Sequence, residues 1–241
     1  MEPIVSIENA SFRFAGPARP ARGFKDVSFS LFPGEFLSVI GPSGAGKSTL
    51  LRAIAGVIQE TKGRIVRNFK KPAMVFQGHG IFPWQTVLEN AAFGLAMEAV
   101  PARERERRAR EKLNEVGLSG LEERYPNELS GGQRQRVAVA RALAVEPDLL
   151  LMDEPLASLD SLTAASLKKD VLELWKRYHM AVVLVSHLIP DAVELSDRIV
   201  IFKSDGSVQK ITPVELPRPR DARSQEFFTE VDALTKALSM P

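Results

Sequence analysis

Near the N-terminus apolar and polar residues alternate one by one, clearest in Val27-Ser28-Phe29-Ser30-Leu31, and a two-residue period predicts strands with one buried and one wet face. From Ile4 to about Leu31 this predicts short antiparallel strands, interrupted by a Gly-, Pro-, Ala- and Arg-rich loop at Ala15–Gly23. Further along, the apolar runs lose their polar partners. Phe36–Ile40, Leu149–Met152 and Ala181–Val185 are continuous, the pattern of strands buried on both faces of a parallel sheet. Arg64–Val66 and Ala73–Phe76 add two short strands, and Arg198–Lys203 with Val208–Ile211 reads as a hairpin across Asp205-Gly206. Helical spacing marks Leu50–Ala55, Thr86–Glu98, Pro101–Val116, a segment from Ser130 to about Val145, and Thr163–Tyr178. No strand pattern occurs from about Gly78 to Asn127. The chain therefore reads as α/β, with a mainly parallel sheet, an N-terminal antiparallel β subdomain and a helical insertion. The tail from Pro213 opens Pro- and Arg-rich and ends in an amphipathic segment, Phe227–Leu238.

Composition narrows this picture only a little. The 241 residues, 44% of them hydrophobic, suffice for one large domain or a domain with a subdomain. No apolar run reaches the ~18 residues that a membrane span needs, and Met1-Glu2-Pro3 opens no secretory signal, so a cytoplasmic location is expected. The absence of Cys rules out disulfides and thiol chemistry, and a net charge of +2 gives no reason to expect nucleic acid as a partner.

The chemistry begins between Phe36–Ile40 and the helix at Leu50. There Gly41-Pro42-Ser43-Gly44-Ala45-Gly46-Lys47-Ser48-Thr49 fills the G-x-x-x-x-G-K-[ST] phosphate-loop (P-loop) pattern completely. Its glycines let backbone N–H groups turn around an anion, and the following helix adds unpaired amides and a positive dipole end. Lys47 is then placed to reach the β- and γ-phosphates of a nucleoside triphosphate, and Ser48 to offer its hydroxyl to Mg²⁺. At the end of Leu149–Met152 stand two adjacent carboxylates, Asp153 and Glu154. Such groups are costly at the end of a buried strand unless they face a cation or a reacting group. With a phosphate loop upstream, Asp153 is assigned to the shell of Mg²⁺ and Glu154 to the attacking water. Other positions keep two readings on local pattern. Ser130-Gly131-Gly132-Gln133 is a capped helix start with uncovered amides, or only a loop. Gln77 reads as polar capping of a strand end. His187 sits where parallel strands present ligands, or is structural. Phe12 and Phe14 share a strand face as core or as base-stacking aromatics. The run Arg103–Arg108 is a solvated helix face laced by neighbouring ion pairs.

Taken in order, the phosphate loop, Gln77, Leu129–Gln133, Leu149–Glu154, Ser158-Leu159-Asp160 and His187 resemble the ATPase subunit of an ABC transporter. The resemblance runs from about Ile4 to Ile211. It implies a P-loop ATPase domain over 1–211, with a helical subdomain inserted at about 78–130, and a partly helical tail over 212–241. It implies ATP and Mg²⁺ as cofactors, Phe14 on the adenine, and Gln77 touching Mg²⁺ and responding to a membrane subunit. Ser130, Gly131 and Gly132 resemble the signature motif that contacts the γ-phosphate of ATP held by a partner protomer. His187 is similar to the switch histidine, and Asp160 to an aspartate that crosses the dimer interface. A head-to-tail dimer with two sandwiched ATP molecules follows from the same likeness, formed with a second copy or a homologous subunit. Within the family, Phe82–Asn90 and Leu216-Pro217-Arg218-Pro219-Arg220 resemble the nitrate, sulfonate and taurine importers. That places a permease on the 77–90 region, a solute-binding protein beyond it, and this chain on the inner face of the cell membrane. Two departures stand out: Leu188 where the family commonly has Asp, and Gly78-His79-Gly80 in place of a stiffer segment. Soluble ABC ATPases of nucleic acid or ribosomes, and lipid exporters or extractors, share the same engine. The former commonly carry two cassettes or long coiled-coil insertions, and this chain has one cassette and no sustained heptads.

Overall fold

The computed structural model of the chain describes residues 2–14 and 23–239, so most of the loop expected at Ala15–Gly23 lies outside the described residues. Two compact units emerge, one of Met1–Phe69 with Ala181–Pro241 and one of Lys70–Met180.

In the first unit, β1 (Val5–Ser11) lies between β2 (Val27–Leu31) and β4 (Lys62–Arg67), antiparallel to both. Val5 faces Leu31 and Ile7 lies between Phe29 and Ile65, all buried, while Ser6 pairs with Ser30 on the other face. The alternation read from sequence is thus the pleat itself. A second sheet has β3 (Phe36–Ile40) parallel to β7 (Ala181–Val185) on one side and to β8 (Arg198–Phe202) on the other. The antiparallel strand β9 (Val208–Pro213) borders β8. Every residue of β3 and β7 is buried, as expected of strands covered on both faces. Helix α1 (Lys47–Ile54) packs against β7, and α6 (Ile189–Leu195) against β3 and α7 (Gln225–Ser239). No helical period is readable at α6, because seven residues with Pro190 in the first turn are too few. Helix α7 covers an apolar cluster of Ile40, Val193, Ile199, Ile201 and Val214 with Phe227 and Leu234. The amphipathic pattern of the tail is therefore a docked helix.

In the second unit, β5 (Pro72–Val75) runs parallel to β6 (Leu149–Asp153). Around them stand α2 (Val87–Met97), α3 (Ala102–Glu115), α4 (Gly131–Ala144) and α5 (Ser161–Tyr178), with α4 touching α2, α3, α5 and β5. Residues 78–130 contain no strand among the described residues. The start of α2 carries a full capping box, Thr86 Oγ1 accepting from the Glu89 N–H and Glu89 from the Thr86 N–H, a device worth about 1 kcal/mol. The α3 charge run forms exposed pairs as expected, Arg107 with Glu104 and Glu111, Arg110 with Glu106.

Several arginines also donate to backbone carbonyls, and Arg67, Arg108 and Arg136 combine this with ion pairs to Glu60, Glu146 and Asp170. Arg67 donates to Ala53, Ile54 and Ile65, Arg108 to Ala144, Arg136 to Val116, and Arg141 to His79 and Gly80. These carbonyls lie mostly at helix ends and in loops, where no ladder satisfies them. Among the described residues no helix is long and apolar enough to cross a membrane.

Candidate active site

The phosphate-loop pattern folds as the strand β3, a loop and the helix α1. Gly46 caps α1 in the left-handed region, at φ 89°, and a Cβ there would lie 2.3 Å from the carbonyl oxygen of Gly23. Only glycine meets both demands. No side chain caps α1 and no acidic residue stands in its first turn, so the positive dipole end at Lys47, Ser48 and Thr49 favours an anion. Lys47 is buried, with Nζ donating to the carbonyls of Gly41 at 2.8 Å and Pro42 at 2.9 Å. Its ammonium is thereby held over the loop, while Ser43 and Gly44 line the exposed rim. In the same unit Phe14 is 40% exposed and meets Phe12 edge to face at 4.9 Å. Strand β1 ends at Ser11, so neither ring lies on the strand face expected for it. His187 is exposed, just past β7, with Leu188 opening α6 and donating its N–H to Ser186 Oγ.

The second unit carries the acidic residues. Asp153 ends β6 and is 3% exposed, while Glu154 follows at φ 46° in the left-handed region. A non-glycine residue there is uncommon and strained by roughly 1–3 kcal/mol, a strain that gathers at working sites. The Glu154 carboxylate accepts a hydrogen bond from Gln77 Nε2 at 3.3 Å. The structure so joins two residues 77 positions apart, one of which local pattern leaves as a plain strand end. Strand β5 stops at Val75, two residues before Gln77, which is exposed. At α4, Ser130 Oγ accepts from the Gln133 N–H and Gln133 Oε1 from the Ser130 N–H, a reciprocal cap. A Cβ on Gly132 would lie 2.2 Å from Thr163 Cγ2, so that glycine lets α5 approach; Gly131 has no such neighbour. Asp160 caps α5, accepting from the N–H groups of Leu162 and Thr163 at 3.1 and 3.0 Å. The Thr163 side chain and these amides hold its carboxyl below the usual 3.8.

Residues 24–157, more than half of the chain, match the ABC transporter family. The chain belongs to that family. Two relatives of this ABC cassette are each 40% identical to it. One is the aliphatic sulfonates import ATP-binding protein SsuB of Bacillus cereus, with 92% of this chain and 91% of that protein covered. The other is an uncharacterized ABC transporter ATP-binding protein of Methanocaldococcus jannaschii, with 95% and 88% covered. Among solved structures, the ATP-binding cassette MJ0796, a dimer in a post-hydrolysis state bound to ADP and Pi, superposes with a TM-score of 0.80. It is 33% identical, covering 88% of this chain and 100% of that one. CbiO1 of Clostridium perfringens, 24% identical with a TM-score of 0.79, shares the fold.

Two residues of this ABC cassette have roles that no local pattern reveals. His79, at φ 73° between two left-handed glycines, places Nε2 3.0 Å from the Gly131 carbonyl oxygen and so ties the segment after Gln77 to Ser130-Gly131-Gly132. Asn90 is fully buried, with Nδ2 donating to the carbonyls of Phe82, Gln85 and Thr86 and Oδ1 accepting from the Phe82 N–H. It moulds the 82–86 loop beside an apolar groove of about 310 Å³ lined by Met74, Phe76, Phe82, Phe93, Arg141 and Val145. Trp84, 72% exposed, stands on the same loop.

Proposed function

We propose that this ABC ATPase powers an importer of a small oxyanion, of the aliphatic sulfonate, taurine or nitrate type, through a separate membrane permease. Two chains close head to tail around two ATP molecules. The uncapped start of α1, with the buried ammonium of Lys47 above it, is the observation that carries the reading, since it is built to hold a polyphosphate.

In this reading Gly41, Ser43, Gly44, Gly46, Lys47, Ser48 and Thr49 wrap the phosphates and Phe14 stacks on the base. Ser48, Gln77 and Asp153 contribute a hydroxyl, an amide oxygen and a carboxylate, an all-oxygen donor set of the kind that suits Mg²⁺. Held there, Mg²⁺ would supply charge compensation to the phosphates. Glu154 orients and takes a proton from the attacking water, with Gln77 fixing its carboxylate and His187 facing the γ-phosphate. Ser130 to Gln133, with Asp160, act on the nucleotide of the partner protomer. The groove beside Phe76 and Phe82, with Trp84 at its side, receives the permease, and a solute-binding protein delivers the solute on the other side of the membrane. The chain itself works at the cytoplasmic face and needs no nucleic acid.

The test uses Glu154→Gln, which keeps the shape of the site and removes its base. With Mg-ATP the variant is expected to sediment as a dimer with at least ~10²-fold lower turnover. A variant that stays monomeric at saturating ATP refutes the dimer. Reconstitution with the permease is expected to give ATPase activity stimulated by an alkanesulfonate and its binding protein. Stimulation by DNA or RNA instead excludes the importer reading.

A further inference from the structure

The Pro- and Arg-rich start of the tail has no part in the chemistry above, yet its two arginines make a dense set of polar contacts in the first unit. Arg220 donates from all three guanidinium nitrogens to backbone carbonyls: Nε to Leu216 at 2.9 Å, one terminal nitrogen to Val193 at 2.5 Å, Ser196 at 2.6 Å and Glu194 at 3.5 Å, the other to Val214 at 3.1 Å. Arg218 donates to the Leu195 carbonyl at 2.6 Å and pairs with Asp197, whose other carboxylate oxygen accepts from the Phe36 N–H at the start of β3. The carbonyls of residues 193 to 196 are those that the last turn of α6 leaves without helical partners. Two cations thus grip the negative end of one short helix.

Helix α6 needs that grip. Seven residues are too few to be stable alone, and its first residue is preceded by Leu188, which offers no side-chain cap. Burial, and then the neighbouring Arg218, push the Arg220 guanidinium down to about 10, so the protein holds a cation where it is disfavoured. Five carbonyls and no carboxylate satisfy it. At the opposite end of the same helix, one residue before Leu188, stands His187.

We propose that Arg220, with Arg218, is a positioning residue for His187: the guanidinium pair fixes the carbonyl end of α6 and so sets where its other end presents the histidine. This rests on the reading of His187 given above. Lysine cannot reproduce the contacts, because a single ammonium with three donors cannot span carbonyls spread over the end of a helix and the segment after β9.

The experiment measures kcat and KM for Mg-ATP, nucleotide affinity and thermal midpoint in the purified chain and in Arg220→Lys, His187→Ala and the double variant. Arg220→Lys is expected to lower kcat about tenfold, with KM and nucleotide affinity within about twofold of the parent. The double variant is expected to be no slower than His187→Ala, since both changes act through one group. A lowered thermal midpoint with unchanged kcat would mean that the arginine only anchors the tail, and overturns the proposal. Effects that multiply in the double variant overturn it too. If His187→Ala itself keeps full turnover, the reading of His187 falls and the positioning role with it. A slow His187→Ala beside a fast Arg220→Lys removes the positioning role alone. Should Arg220→Lys fail to fold, Arg218→Lys, which leaves the five-carbonyl cage intact, is measured in its place under the same criteria.

Discussion

Lys47 holds its charge in a buried position with loop carbonyls as near neighbours, and a triphosphate gives that ammonium a stronger acceptor than a neutral carbonyl. Removing it in Lys47→Ala is expected to weaken ATP binding by about 2–3 kcal/mol, some 30- to 150-fold, while the fold persists. Isothermal titration with a slowly hydrolysed analogue measures this, and unchanged affinity would unseat the loop as the nucleotide site. Gly46 has a different vulnerability. Gly46→Ala forces a side chain into the left-handed region and drives its Cβ toward the Gly23 carbonyl, so a destabilisation of at least about 1–2 kcal/mol is expected, together with a lost site. Denaturant melts check the first and nucleotide titration the second. At this scale the glycines, Lys47 and the Asp153-Glu154 pair are legible in sequence, because each is demanded by its immediate neighbours along the chain. The left-handed turn at Glu154, its bond to Gln77 and the His79 tie to Gly131 are not, because they join distant segments or depend on a backbone angle that no residue type announces.

Helices show the same division between local and distant causes. α2, α4 and α5 begin where capping residues stand, at Thr86, Ser130 and Asp160, so sequence places their starts within a residue or two. α6 has neither a cap nor enough turns to show a period, and it is held by arginines more than twenty residues away. Asp160 gives the element scale a pH test. Its folded value lies below 3.8, so its contribution to stability is complete above the unfolded value and is lost as pH falls through the depressed one. Asp160→Asn keeps an oxygen to accept the α5 amides but cannot titrate. Between pH 5 and pH 3 the variant's thermal midpoint is expected to fall less than the parent's. An equal fall shows that the cap does not depend on charge.

At the scale of the molecule, the alternating strands, the buried parallel strands and the helical stretch from 78 to 130 were readable because each has its own period. The tail was half readable. Its amphipathic helix declared itself, whereas the partners of Arg218 and Arg220 did not, being main-chain atoms of another segment. The bonds from arginines to carbonyls bear on salinity. Exposed ion pairs such as those on α3 contribute little and fade as mobile ions accumulate around them. A guanidinium bound to half-buried carbonyls at helix ends offers counterions little to displace. The thermal midpoint is therefore expected to move by no more than a few degrees between about 0.05 and 0.5 M KCl, and a large drop would assign cohesion to the surface pairs. Clamps of this kind, main chain held by guanidinium, keep their grip in concentrated salt, where pairs between exposed side chains are screened.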